Sequence, residues 1–267
     1  MSGVLKRLLI AAALLQTWAA CDRPLAQPSD ATLLRQFCQP TSIKGNECSN
    51  ARNYARGRRC NVKLNEDRYT GRYIASQELL VVRYESDCEA HSNDFGGSIV
   101  FERIGGGYAF RGYQPGIVFS ECASIPRGPR QDRLICLTGH MGQGQLEASV
   151  SEVVFRRRVL SSIRASLDIL LTATDTEGAY GTNKVECNAT RILFGLSNIE
   201  GGPTADTVLL SATYADREAI QQACRPGAPR PQEAIGDLGP GEAFIDSKAV
   251  KEGRFLLHLG TKELQQK

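Results

Sequence analysis

The sequence predicts a mainly β, antiparallel fold held by several disulfides, and three observations predict it. Short runs rich in β-branched and aromatic residues recur from Glu78 to Leu259, each closed by glycine, proline or acidic turn residues. Nine cysteines are present, and setting Cys21 aside leaves the even number that a fully bridged exported domain requires. Hydrophobic residues make up 42% of the 267-residue chain, enough to bury a core and to exclude bulk disorder.

The N-terminus reads as an export signal. Lys6 and Arg7 precede the apolar run Leu8 to Leu15, and a weakly polar stretch from Gln16 ends in small residues at Ala20. The run is too short for a membrane span, which needs about 20 residues. Two processing routes fit: cleavage after Ala19, with Thr17 and Ala19 as the small residues, or lipoprotein processing. Trp18-Ala19-Ala20-Cys21 resembles a bacterial lipobox, departing from it at Trp18, where the motif carries Leu. The odd cysteine count supports lipidation of Cys21, since a thioether needs no disulfide partner. On this reading residues 1–20 are a signal peptide and 21–30 a tether to the envelope membrane.

Asp30 to Cys38 reads as a short helix with Asp30 as N-cap and Leu33, Leu34 and Phe37 on one face. Residues 39–72 are polar and arginine-rich and carry Cys48 and Cys60. The 31–77 segment is therefore expected to be irregular, pinned by disulfides to the main domain. The β domain is expected over 78–224. Leu79 to Tyr84 is a compact strand run. Ser98 to Glu102 and Tyr108 to Arg111, separated by Gly105-Gly106-Gly107, form the clearest hairpin. Gly116 to Phe119 and Leu134 to Leu137 follow, divided by a Pro/Gly loop at Pro126 to Pro129. Val153 to Phe155, Ile169 to Thr174, Arg191 to Phe194 and Val208 to Leu210 complete the strands. Ala215 to Cys224 reads as a helix capped by Asp216. Residues 225–241, with four prolines and four glycines, read as a linker, and 242–267 as one strand with a fraying tail.

Asp132, Leu134, Thr138 and Gly142 recur 36 residues later as Asp168, Leu170, Thr174 and Gly178, with Glu78 and Asp206 opening similar units. Units of this kind resemble the blades of a β-propeller, although their spacing is not fixed. The expected architecture is a propeller-like array of short sheets, with a β-sandwich as the alternative and two or three short peripheral helices.

All eight cysteines after Cys21 are expected to pair: Cys38, Cys48, Cys60, Cys88, Cys122, Cys136, Cys187 and Cys224. Cys122–Cys136 is the first local bridge to expect, across the Pro/Gly loop, and Cys187–Cys224 the second.

Chemistry-bearing motifs are few. Gly195-Leu196-Ser197-Asn198-Ile199 fails the serine-elbow pattern at its last position. Gly178 to Lys184 lacks Walker A spacing, and Gly142-Gln143-Gly144 lacks the third glycine of a dinucleotide loop. With 32 Lys+Arg against 29 Asp+Glu, charge is nearly balanced, and the single dense run Arg156-Arg157-Arg158 falls short of a nucleic-acid footprint. Asp87, Glu89, His91 and Asp94 form the best polar constellation; with His140 in a later turn, imidazole and carboxylates would suit a divalent metal. Tyr113, near Arg111, is the aromatic expected to be exposed as a ligand surface, whereas Tyr108 and Phe110 share one face and read as core. No organic cofactor is implied. The expected function is an exported, envelope-associated binding or structural protein whose partner is an envelope protein or glycan. The alternatives are a metal-assisted hydrolase using His91 and His140, and an inhibitor or accessory lipoprotein of an envelope enzyme.

Overall fold

The computed structural model describes residues 27–52, 59–88, 96–142, 145–158, 162–173, 184–231 and 237–267, and only the backbone of 140–142, 145 and 146. The chain is mainly antiparallel β, and its three principal sheets are stacked face to face. The first sheet is a six-stranded meander in simple order: β1 (Ile43–Lys44), β2 (Glu47–Ala51), β3 (Cys60–Ile74), β4 (Gln77–Ser86), β5 (Gly96–Ile104) and β6 (Gly107–Pro115). The second holds β7 (Phe119–Gly128), β8 (Gln131–Gly142), β9 (Gln145–Arg157) and β10 (Ile163–Ala173). The small pair β11 (Lys184–Glu186) and β14 (Glu242–Phe244) flanks the third sheet. That sheet holds β12 (Arg191–Gly201), β13 (Thr207–Asp216), β15 (Lys251–His258) and β16 (Leu264–Gln266).

Pleat alternation explains the stacking. On β8, Leu134 and Cys136 face the first sheet, against Leu79, Val81 and Val100. Ile135 and Leu137 face the third, against Val208, Leu210, Phe255 and Leu257. The second sheet thus has apolar partners on both faces, and β8 accordingly reads as the continuous apolar run Leu134 to Leu137. The outer face of the first sheet is covered by α1 (Asp30–Leu34) and Phe37, packed on Leu80, Val82, Ile99 and Phe101. The outer face of the third is covered at one end by α2 (Arg217–Ala223) and the small sheet, through Ala219, Ile220, Val185 and Ile245. Successive meanders therefore pack face to face. Among the described residues no buried cluster joins the first sheet to the third, and the array is an open stack capped by helices.

Several expectations need correction. The 31–77 segment is not irregular: it supplies three strands of the first sheet. Cys60, Val62 and Leu64 are buried while Asn61 and Lys63 are exposed, a one-sided strand whose polar half hid the alternation. The cap of α1 is Ser29, whose Oγ accepts from Thr32 N at 3.3 Å, while Asp30 pairs with Arg68. The Pro126–Pro129 loop is shorter than expected, since β7 continues to Gly128. Pro126 fits because β7 is an edge strand, where a missing donor goes unnoticed. The C-terminal segment is integral: β15 lies between β13 and β16, with Phe255 opposite Gln266. The repeat also dissolves, because Asp132 and Asp168 lie on β8 and β10 of one sheet. The unit that recurs is the whole meander.

The four disulfides are Cys38–Cys48, Cys60–Cys88, Cys122–Cys136 and Cys187–Cys224. The last two are the pairs expected from sequence. Asp216 caps α2, accepting from Ala219 N at 3.0 Å. The hydrogen bond from Lys251 and that cap together hold its carboxyl below the usual carboxylate range.

Candidate functional site

The first sheet overhangs the second, leaving part of one face open. Because Cys48, Cys60 and Val62 turn toward α1, their neighbours Glu47, Ser49, Asn61 and Lys63 turn the other way, into a groove of about 980 Å³. Two cross-strand rows line it. Glu47, Lys63 and Glu85 stand opposite one another on β2, β3 and β4. Lys63 Nζ lies 3.8 Å from Glu47, with both side chains at least half exposed. The second row is Ser49, Asn61 and Asp87. Asp87 accepts from Asn61 N at 2.8 Å and from Asn61 Nδ2 at 2.6 Å. Lys44 also lines the groove. Most of the lining side chains are polar or charged, of both signs, while much of the groove's surface is apolar. The groove offers hydrogen bonds to an extended polar partner.

A smaller cleft of about 340 Å³ lies where the sheets meet, lined by Tyr73, Asp132, Arg133, Glu152 and Asp168 among others. Its carboxylates are engaged. Asp132 accepts from Arg72 N at 2.7 Å and from the Arg72 guanidinium at 3.3 Å. Glu152 accepts from Arg133 at 2.6 and 3.0 Å, and Asp168 lies 3.5 Å from Lys262 Nζ. The Tyr73 hydroxyl is buried without a partner in hydrogen-bonding geometry. Burial drives its phenol well above the ordinary value, against a smaller opposing pull from Ser124. This cleft is a structural clamp between sheets.

No protein-family model, curated protein or solved structure matches the chain.

Glu89, His91 and Asp94 lie outside the described residues. His140 lies in β8, its backbone opposite Glu147. Asp87 is occupied by Asn61. It also lies within 4.8 Å of Cys60 and Cys88, but those sulfurs are spent in a disulfide, which takes their thiolates out of metal binding.

Tyr113 and Arg111 do not form an exposed ligand surface. The Tyr113 ring is half-buried, 5.0 Å from Phe110 and 5.5 Å from Phe37, and its hydroxyl donates to Arg52 O at 3.1 Å. The cause is a β-bulge. Phe101 pairs with Phe110 but Val100 pairs with Gly112, so Arg111 is the extra residue and the alternation slips by one. Gly112, at φ +147°, accommodates the slip, and Tyr113 returns to the face of Phe110. Arg111 Nε donates to Glu102 at 2.6 Å.

Sequence reasoning missed Lys44, Glu47, Lys63 and Glu85. The signal that would have found them is the alternation Cys60-Asn61-Val62-Lys63-Leu64.

Proposed function

We propose that the chain is an envelope-associated binding module of an oxidising compartment, tethered through Cys21, and that the groove on the first sheet receives its partner. Four disulfides support the compartment. The observation that carries the binding reading is the exposed double row Glu47–Lys63–Glu85 and Ser49–Asn61–Asp87, a flat array of donors and acceptors on a rigid sheet. Such an array suits an extended protein segment or a glycan of the cell envelope. The reading also accommodates an accessory role toward an envelope enzyme, which would be the captured partner.

The test is site-specific photo-crosslinking in intact envelopes. A crosslinker at Lys63 should capture one discrete species, and the charge reversal Glu85→Lys should abolish that capture. A crosslinker at Arg35, on the helix side, should not capture it. Equal capture from both positions, or none from Lys63, removes the groove as the binding site.

A further inference from the structure

The pleat splits the run Arg156–Arg158. Arg157 turns toward the first sheet, donating to Gln77 Oε1 at 2.8 Å and pairing with Glu102. Arg156 and Arg158 turn the other way and are exposed. Arg164, also exposed, stands directly opposite Arg156 in the ladder between β9 and the edge strand β10. None of these three guanidinium groups meets a carboxylate among the described residues. Like charges directly opposite weaken a strand pair. Several arginines elsewhere have carboxylate partners, as in Arg133–Glu152, Arg111–Glu102 and Arg103–Glu78, so what marks this edge is three unpaired guanidinium groups standing together.

The same edge strand carries a second anomaly. Leu167 is 37% exposed and Ile169 is 52% exposed, on a strand whose neighbours Ile163 and Leu170 are buried. The start of this edge is plugged: Gln114 Nε2 donates to Ile163 O at 2.7 Å, and Gln114 Oε1 accepts from Ala165 N at 2.8 Å. Leu167 and Ile169 lie just beyond the plug.

We propose that the β9–β10 edge of the second sheet docks on a lipid leaflet containing anionic phospholipid. Guanidinium forks match phosphate oxygens in geometry as well as charge. A soluble polyanion would account for the three arginines, but not for two aliphatic side chains that gain only on leaving water. Basic and apolar side chains presented together are the pattern of peripheral membrane contact. Because an edge meets the leaflet, side chains from both faces of β10 reach it, and the arginines extend along the surface to the headgroups. The inference shares with the proposed function only its location at a membrane, and it is independent of lipidation at Cys21. A second weak contact beside an acyl anchor would fix how the domain lies on the surface.

The test is flotation of the full chain carrying Cys21→Ser, which removes the anchor. Phosphatidylcholine vesicles are compared with and without phosphatidylglycerol, and the neutral vesicles report any contribution of the apolar leader. Binding should be stronger with phosphatidylglycerol and should fall with salt. Arg156→Gln/Arg158→Gln/Arg164→Gln should weaken that excess by roughly a hundredfold, about fivefold per arginine. Leu167→Ser/Ile169→Ser should weaken vesicle binding while leaving retention on heparin unchanged. Thermal midpoints of the variants are measured alongside to exclude unfolding. Equal binding to both vesicle types, or a triple variant that floats like its parent, overturns the proposal. Retention on heparin without vesicle binding also overturns it and assigns the patch to a soluble polyanion. A parent chain found unlipidated would remove the anchor and leave this result standing.

Discussion

Asp132 and Arg133 are neighbours on β8, and they pair in opposite directions. Asp132 holds Arg72 of the first sheet, with its carboxylate 2.7 Å from the Arg72 backbone N. Arg133 reaches toward the third sheet, 3.0 Å from Asp206, while gripping Glu152 on β9 at 2.6 Å. The period of two in a strand makes this possible, since adjacent side chains must face opposite sides. Two consecutive residues thus tie the middle sheet to both of its neighbours.

Removing the second clamp should be costly. Arg133→Ala leaves Glu152, whose side chain is only 16% exposed, without its cation. We expect a loss of about 2–3 kcal/mol, below the range for a fully buried pair because Asp206 is open to solvent. Urea denaturation measures it. The double variant Arg133→Ala/Glu152→Gln should lose less than the sum of the two single changes, since the pair is in contact. Strict additivity would mean that the ion pair contributes nothing.

Tyr73→Phe should raise stability at neutral pH by up to about 1 kcal/mol, because it deletes a buried hydroxyl that lacks a partner in hydrogen-bonding geometry. It should also change the alkaline limb. Burial lifts the folded-state phenol above its ordinary value near 10, so the folded state favours the neutral form. The associated stability is fully present below pH 10 and is lost as pH rises beyond it. The phenylalanine variant should therefore show a shallower loss of stability above pH 10 in denaturant titrations. Identical alkaline limbs would place the phenol in water.

Asp87 separates two views of its loop. As a strand-end cap, it should cost about 1 kcal/mol on substitution by Ala, whether or not a chelator is present. As a metal ligand, it should make the thermal midpoint of the parent fall in chelator and recover with zinc. Its two bonds to Asn61 predict the first outcome.

The disulfides should differ in weight. Cys122–Cys136 spans 14 positions and Cys187–Cys224 spans 37. Loop entropy assigns them about 3 and about 4 kcal/mol. The paired substitution Cys187→Ala/Cys224→Ala should therefore lower the urea midpoint more than Cys122→Ala/Cys136→Ala. Cys187–Cys224 ties the end of α2 to the segment just after β11, whereas the other pair joins strands already in register. The reverse order would show that packing outweighs chain entropy at these sites.

The sequence's legible parts were those governed by one periodicity. The hairpin at Gly105 and Gly106, the cap at Asp216 and the runs at Leu79, Leu134 and Val208 all behave as their local pattern dictates. β3 failed because its first half is buried on one side only and its second half is twisted past a bulge between Leu64 and Arg68. Tyr113 failed for a related reason, a single extra residue at Arg111 that reverses every face after it. The groove was illegible because it is defined by where the second sheet stops. That boundary depends on stacking between strands far apart in sequence, and the Arg156–Arg164 opposition likewise requires the register of β9 against β10.

Lipidation of Cys21 would join the chemistry of one residue to the position of the domain. Every cysteine beyond Cys21 is consumed in a bridge, so a free thiol at Cys21 would be the single unpaired one in an oxidising compartment. Thioether lipidation removes that liability, and the first described residues, Gln27 to Ser29, lead directly into α1. Mass spectrometry of the mature protein should find residue 21 as the acylated N-terminus, and the protein should partition with membranes in detergent extraction. Cys21→Ser should release most of the protein from membranes at high salt, where charge contacts are screened. Its urea midpoint should stay unchanged, because no bridge of the folded domain is touched. An unmodified N-terminus at Ala20 would instead establish cleavage after Ala19 and a freely exported domain.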